Sequence, residues 1–161
     1  DGGYKFWYSK KFPTDNLIPK NLKKENIEYF YNNDYLIDTK NLINRLQKKD
    51  LYLIDARDKV RFLGKKEPID KKAGHIPGAI NMPFKNNLDR EGKFKSKLEL
   101  KKLFEKINID DSKEIINMCG SGVTACHNFL AMEYCGLRKS KIYVGSWSAW
   151  SSYSDNEIAK E

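Results

Sequence analysis

The sequence predicts an α/β domain built on a mostly parallel sheet, and three observations carry that prediction. Leu51-Tyr52-Leu53-Ile54 and Ile115-Ile116-Asn117-Met118 are short, nearly continuous apolar runs, the pattern of strands buried on both faces. Segments with helical spacing of apolar residues alternate with them along the chain, which is the layout of strand–helix–strand crossovers. The second run passes directly into Cys119-Gly120-Ser121-Gly122 and then into a helical pattern, a strand–turn–helix unit.

Taken in order, residues 1–26 carry Pro13 and Pro19 and no sustained periodicity, so they read as an irregular arm. Ile27 to Tyr31 is expected as a short edge strand. Thr39 is expected to cap a helix that turns Leu42, Ile43 and Leu46 inward. After the Leu51–Ile54 strand, Ala79 to Met82 lies between a Gly-Pro turn and Pro83 and reads as a brief strand. Ser96-Lys97-Leu98-Glu99 is a capping box opening a helix with Leu100, Leu103, Phe104 and Ile107 on its inner face. Val123 to Cys135 follows the Cys119 turn as a helix stopped by Gly136. Lys141 to Val144 closes the strands, and Ser146 to Tyr153 is a short final helix.

The 161 residues, 40% hydrophobic, suffice for one core. The net charge of +8 comes from 30 Lys and Arg scattered among acidic and amide residues, with no dense basic stripe, so a solvated surface is expected in place of a nucleic-acid site. The three cysteines, Cys119, Cys126 and Cys135, form no CxxC pair and have no interleaved histidines, which argues against a disulfide framework or a metal site and for a reducing, cytoplasmic setting. No apolar run approaches the roughly 20 residues of a membrane span. No cofactor motif is present.

A cysteine at the carboxyl end of a buried parallel strand lies where ligands collect in such sheets. The turn's backbone N–H groups and the positive end of the next helix both favour thiolate over thiol, so Cys119 is predicted to be an acidic nucleophile. Gly120 and Gly122 let the backbone curl around the sulfur. A purely structural Cys119 would leave those glycines without a reason. Cys126 and Cys135, among Phe129, Leu130 and Met132 on the following helix, read as packing residues.

Cys119-Gly120-Ser121-Gly122-Val123-Thr124 resembles the CGSGVT active-site loop of the 3-mercaptopyruvate sulfurtransferases. Gly74-His75-Ile76-Pro77-Gly78-Ala79-Ile80-Asn81 resembles the GHIPGA(I/V)N signature of the wider rhodanese family, and Tyr143 to Trp150 is similar to its YDGSWSEW. With Asp55-Ala56-Arg57 and Arg61-Phe62, the matches run in family order from about residue 50 to 152. The resemblance implies a rhodanese-like fold, with a catalytic domain over residues 27–155 and a tail at 156–161. Because Gly2 precedes Trp7 at the spacing that separates Gly145 from Trp150, residues 1–7 resemble the closing turn of a preceding rhodanese domain. Residues 8–26 are then the interdomain linker.

The resemblance further implies that Cys119 takes sulfur from 3-mercaptopyruvate as a persulfide and passes it to cyanide or a thiol acceptor, such as a small thiol or a thioredoxin-like protein. It gives Ser121 a part in protonating the enolate, and Arg61 the substrate carboxylate. The family's second arginine is absent from Glu67-Pro68-Ile69-Asp70, which leaves Lys71 or Lys72 as candidate replacements. Val144 and Ala149 also depart from the family's Asp and Glu. His75 is expected to brace a turn, and Asp55 to anchor backbone near a strand end; both are retained as weaker site candidates. The neutral Gly120 and Ser121 argue against thiosulfate, whose dianion calls for cations in the loop. Ala125, six residues after Cys119, argues against a cysteine phosphatase, which needs arginine there. A noncatalytic binding module is the remaining alternative.

Overall fold

A computed structural model describes residues 1–18, 26–30, 32–108, 112–137 and 140–161. A short helix α1 (Gly3–Ser9) comes first, followed by strand β1 (Leu36–Ile37), helix α2 (Thr39–Lys48) and strand β2 (Leu51–Asp55). Helix α3 (Lys59–Phe62), strand β3 (Ile80–Asn81) and helix α4 (Lys97–Glu105) lead to strand β4 (Glu114–Met118). Helix α5 (Val123–Tyr134), strand β5 (Ser140–Tyr143) and helix α6 (Ser146–Ser152) complete the domain. The five strands form one sheet in the order β1-β5-β4-β2-β3, and every pairing is parallel.

β2 and β4 are the central pair, in register from Leu51 opposite Glu114 to Asp55 opposite Met118. Their side chains alternate between two cores, which is why both strands read as continuous apolar runs. Leu51, Leu53, Ile116 and Met118 meet Leu42, Tyr143, Trp147 and Trp150 on one face. Ile54 and Ile115 meet Leu100, Phe104, Ala131 and Met132 on the other. The parallel register brings the carboxyl ends of both strands together, with Asp55 opposite Met118 and Ala56 packed beside Cys119.

Local sequence explains several helix ends. Ser96 and Glu99 make the reciprocal capping box expected of them. Gly136 has φ +88 just beyond α5, as expected of a left-handed stop. At α2 the cap is Asp38, whose carboxylate accepts from Asn41 N at 2.8 Å; Thr39 is the first helical residue, and its hydroxyl pairs with the Tyr143 hydroxyl at 2.8 Å. The expected cap is therefore displaced by one residue, because the Thr39 side chain is engaged across the sheet.

The edge strand is also displaced. Residues 26–30 form no strand, with Ile27 77% and Phe30 96% exposed, and Tyr31 lies outside the described residues. Leu36 and Ile37 hold the edge instead, opposite Ile142 and Tyr143 of β5. Ile37 can bury its side chain in the core while Leu36 faces outward, a fit that the earlier segment does not make. Of the expected linker, residues 19–25 lie outside the described residues.

Residues 156–161, the expected tail, are hydrogen-bonded back to the domain. His75 and Ala159 exchange backbone hydrogen bonds at 2.9 Å, Glu161 N donates to Leu63 O at 3.2 Å, and Trp150 Nε1 donates to Glu157 O at 2.9 Å. Gly74 permits this closure: with φ +127, a Cβ there would lie 2.4 Å from Ala159 O.

Candidate active site

Cys119 follows the last residue of β4, and Gly122, with φ +85, turns the chain into α5. A Cβ on Gly122 would meet Val144 O at 3.0 Å, so the loop lies against the end of β5. The segment after β5 clamps it. Trp147 N donates to Cys119 O at 3.0 Å, and Ser148 N donates to Gly120 O at 2.9 Å. Cys119 N donates to Ser146 Oγ at 3.1 Å, and that hydroxyl donates to Tyr143 O at 2.8 Å. Ser146 is fully buried and holds φ +49, a left-handed conformation that costs a non-glycine residue energy.

Cys119 is 2% exposed and packs beside Ala56 and Ala125, yet it forms part of the wall of a cavity of about 160 Å³. Ser121, Val123 and Thr124 of the loop and helix start, Ser148 of the clamp, and Arg61, Ile69 and Asp70 complete that wall with Gly120. The expected collar of amide donors is not made: among the described residues, no hydrogen bond ends on the Cys119 sulfur. Positive potential comes instead from the amino end of α5, whose first N–H groups have no intrahelical partner; the charge of Arg61 is matched by Glu67 and Asp70. The guanidinium lies against the loop, where a Cβ on Gly120 would be 3.5 Å from Arg61 Nη1. A larger hollow of about 630 Å³ beside α1 is lined mostly by Tyr4, Phe6, Trp7 and Phe12 and offers no nucleophile.

Arg61 is held by a buried chain of charges. Asp55, wholly buried, accepts from Arg57 N, Nε and Nη2. Arg57 also donates to Gly74 O at 2.8 Å, lies over the Trp147 ring at 4.6 Å, and reaches Glu67 Oε2 at 3.4 Å. Glu67 accepts from Arg61 Nε and Nη2 at 3.2 and 2.6 Å, and from the amides of Ile69 and Asp70. Burial pushes the Glu67 carboxyl upward, but those hydrogen bonds and the Arg61 charge outweigh it and hold the group below the ordinary glutamate value.

The residues singled out from sequence fall into two groups. Cys119, Gly120, Ser121, Val123, Thr124 and Arg61 line one cavity, and Gly122 shapes its loop. Asp55 and His75 stand behind it: His75 Nδ1 meets Phe62 O at 2.8 Å and its ring stacks on Phe62 at 3.8 Å, which makes it a brace. Lys71 and Lys72 do not line the cavity; Lys71 is exposed, and Lys72 Nζ donates to Tyr153 O at 3.1 Å. The chain at Lys72 is turned toward the closing segment, where its carbonyl also accepts from Trp147 Nε1 at 2.9 Å. Ile69, Asp70, Ser146 and Ser148 were not singled out. The last two sit in the closing motif, whose resemblance to the family marks neither serine by itself, and Asp70 has no local pattern to mark it.

Cys126 is exposed, with its thiol donating to Gly122 O at 3.3 Å, and Cys135 is partly buried, with burial pushing its thiol upward; neither lines the cavity. Among the described residues no cluster of three or more His, Cys, Asp or Glu is arranged for a metal ion, and no helix is long and apolar enough to cross a membrane.

A parallel α/β domain with a cysteine on a glycine-rich strand-to-helix loop, and an arginine lining the same small cavity, is the class that the fold and the site define. The match to the rhodanese-like domain model over residues 38–153 places the chain in that family, to which it belongs. It is 36% identical over 154 residues to the 3-mercaptopyruvate sulfurtransferase of Rattus norvegicus, covering 93% of this chain and 51% of that protein. A probable 3-mercaptopyruvate sulfurtransferase of Pseudomonas aeruginosa is 43% identical over 119 residues, covering 71% of this chain and 41% of that one. The thiosulfate sulfurtransferase of Bos taurus is 35% identical over 153 residues, with 93% and 51% coverage. Among solved structures, the Tum1 protein of Saccharomyces cerevisiae superposes with a TM-score of 0.71 at 28% identity, covering 80% of this chain and 47% of that one. The anaerobic ergothioneine biosynthesis enzyme of Chlorobium limicola shares the fold, with a TM-score of 0.83 at 20% identity over 99% of this chain and 40% of that one. The chain thus spans about half the length of the curated relatives it matches.

Proposed function

We propose that this domain transfers sulfur from 3-mercaptopyruvate through a persulfide on Cys119. The observation that carries the reading is the placement of the Cys119 and Arg61 side chains on one small cavity. The Cys119 thiolate attacks the substrate sulfur and forms an S–S bond. The carbon–sulfur bond breaks with its electron pair moving to carbon, and the resulting enolate takes up one proton to become pyruvate. Ser121, which lines the same cavity, relays that proton in this reading. Arg61 receives the carboxylate, for which a planar guanidinium is suited. In the second half-reaction an acceptor thiolate attacks the outer sulfur and regenerates the Cys119 thiolate, a ping-pong cycle.

The acceptor is a small thiol or a thioredoxin-like protein, in a reducing, cytoplasmic setting that suits three unpaired cysteines. The coverage of the relatives supports a preceding rhodanese domain, of which residues 1–7 are the closing turn and 8–26 the linker. Thiosulfate as donor is the second reading, supported by the relatives of that name; the neutral Gly120 and Ser121 favour mercaptopyruvate.

The test is mass spectrometry of the full-length protein after incubation with each donor, beside Cys119→Ser. Addition of one sulfur atom to Cys119 with mercaptopyruvate, accompanied by pyruvate release and absent from the variant, is the expected result. Faster loading from thiosulfate would favour the second reading. No loading from either donor would leave a noncatalytic module.

A further inference from the structure

We propose that Asp70 is a specificity-determining residue, a built-in rival that competes with an incoming carboxylate for Arg61. Asp70 forms part of the cavity wall that Cys119 and Arg61 share. Its Oδ2 lies 3.5 Å from Arg61 Nη2, within ion-pairing range, yet this buried oxygen has no hydrogen-bond partner. Its side chain is 12% exposed, so water does little to compensate it.

The charges around Arg61 sharpen the point. Arg57 and Arg61 face Asp55, Glu67 and Asp70 through contacts of 2.7, 3.4, 2.6 and 3.5 Å, so the linked cluster holds two cations and three carboxylates. Glu67 already takes the Nε and Nη2 edge of Arg61, and Asp70 adds a negative charge beside Nη2. A substrate carboxylate approaching from the cavity meets Arg61 with its charge already matched and a second carboxylate beside it. Like charges in a partly desolvated pocket repel strongly. The pocket therefore discriminates against anions that cannot displace Asp70, and the affinity for a carboxylate donor is set by Asp70 as much as by Arg61.

This inference rests on Arg61 being the carboxylate site of the proposed function, but its test needs no sulfur transfer. Pyruvate and its uncharged amide, pyruvamide, are titrated calorimetrically into the full-length protein and into Asp70→Asn, which keeps the shape and removes the charge. Asp70→Ala serves as a second variant. Pyruvate is expected to bind on the order of tenfold more tightly to both variants, with pyruvamide changed less than about twofold. Unchanged or weaker pyruvate binding, equal tightening of both ligands, or no pyruvate binding to any form would overturn the proposal. Persulfide loading of Cys119 is scored separately, so tightening by the variants without any loading would reject the sulfur-transfer reading and keep the role of Asp70.

Discussion

Replacing Ser146 with alanine tests how the Cys119 loop is held. The hydroxyl accepts from Cys119 N at 3.1 Å and donates to Tyr143 O at 2.8 Å, and Ser146 and Tyr143 are fully buried while Cys119 is 2% exposed. The Cys119 amide has one hydrogen, so its loss of a partner carries the full cost of a buried unsatisfied donor, about 1–3 kcal/mol. The Tyr143 carbonyl loses one bond worth about 0.5–1.5 kcal/mol. Ser146→Ala should therefore destabilise the domain by about 2–4 kcal/mol. Ser146→Gly loses the same two bonds but relieves the φ of +49, worth about 1–2 kcal/mol, so glycine should be the less damaging change. Urea unfolding at equal m-value measures both, and alkylation of Cys119 reports whether the loop has shifted. An Ser146→Ala variant within about 0.5 kcal/mol of the parent, or a glycine variant worse than the alanine one, would refute the clamp.

Two further outcomes follow from the charge chain. Arg61→Lys should raise KM for 3-mercaptopyruvate by about tenfold or more with a smaller change in kcat, because lysine lacks the planar fork; an equal fall in kcat and kcat/KM with KM unchanged would place Arg61 in the chemical step instead. Glu67→Gln should cost about 3–5 kcal/mol by leaving Arg57 and Arg61 facing each other without their shared anion. Since the folded Glu67 carboxyl is held low, its stabilisation is present above the ordinary value of about 4.3 and is lost as pH falls through the lower folded value. The variant's stability should therefore vary less with pH across that acid window, and a parallel profile would count against the ion pairs.

The candidate site was legible where chemistry is written locally. A thiol at the end of an apolar run, glycines where the chain must turn, and Arg61 in its own motif all converge on one cavity. The charge environment was not legible. Asp55, Arg57, Glu67, Arg61 and Asp70 alternate in sign around a buried path, and nothing in their spacing distinguishes such a path from a solvated run. Lys71 and Lys72 are candidate cations by proximity in sequence alone, and only the fold shows that Lys72 reaches Tyr153 O.

By itself the sequence determined the parallel α/β class, the two central strands, the capping box at Ser96 and the position of Cys119 at a strand end, because each depends on side chains within a few residues of one another. Only tertiary structure decided that Leu36–Ile37 takes the sheet edge, that Ser146 to Ser148 fasten the Cys119 loop, and that Asp70 sits beside Arg61. Those outcomes depend on which distant segments share buried space, where an amide or a charge must find its partner across the fold.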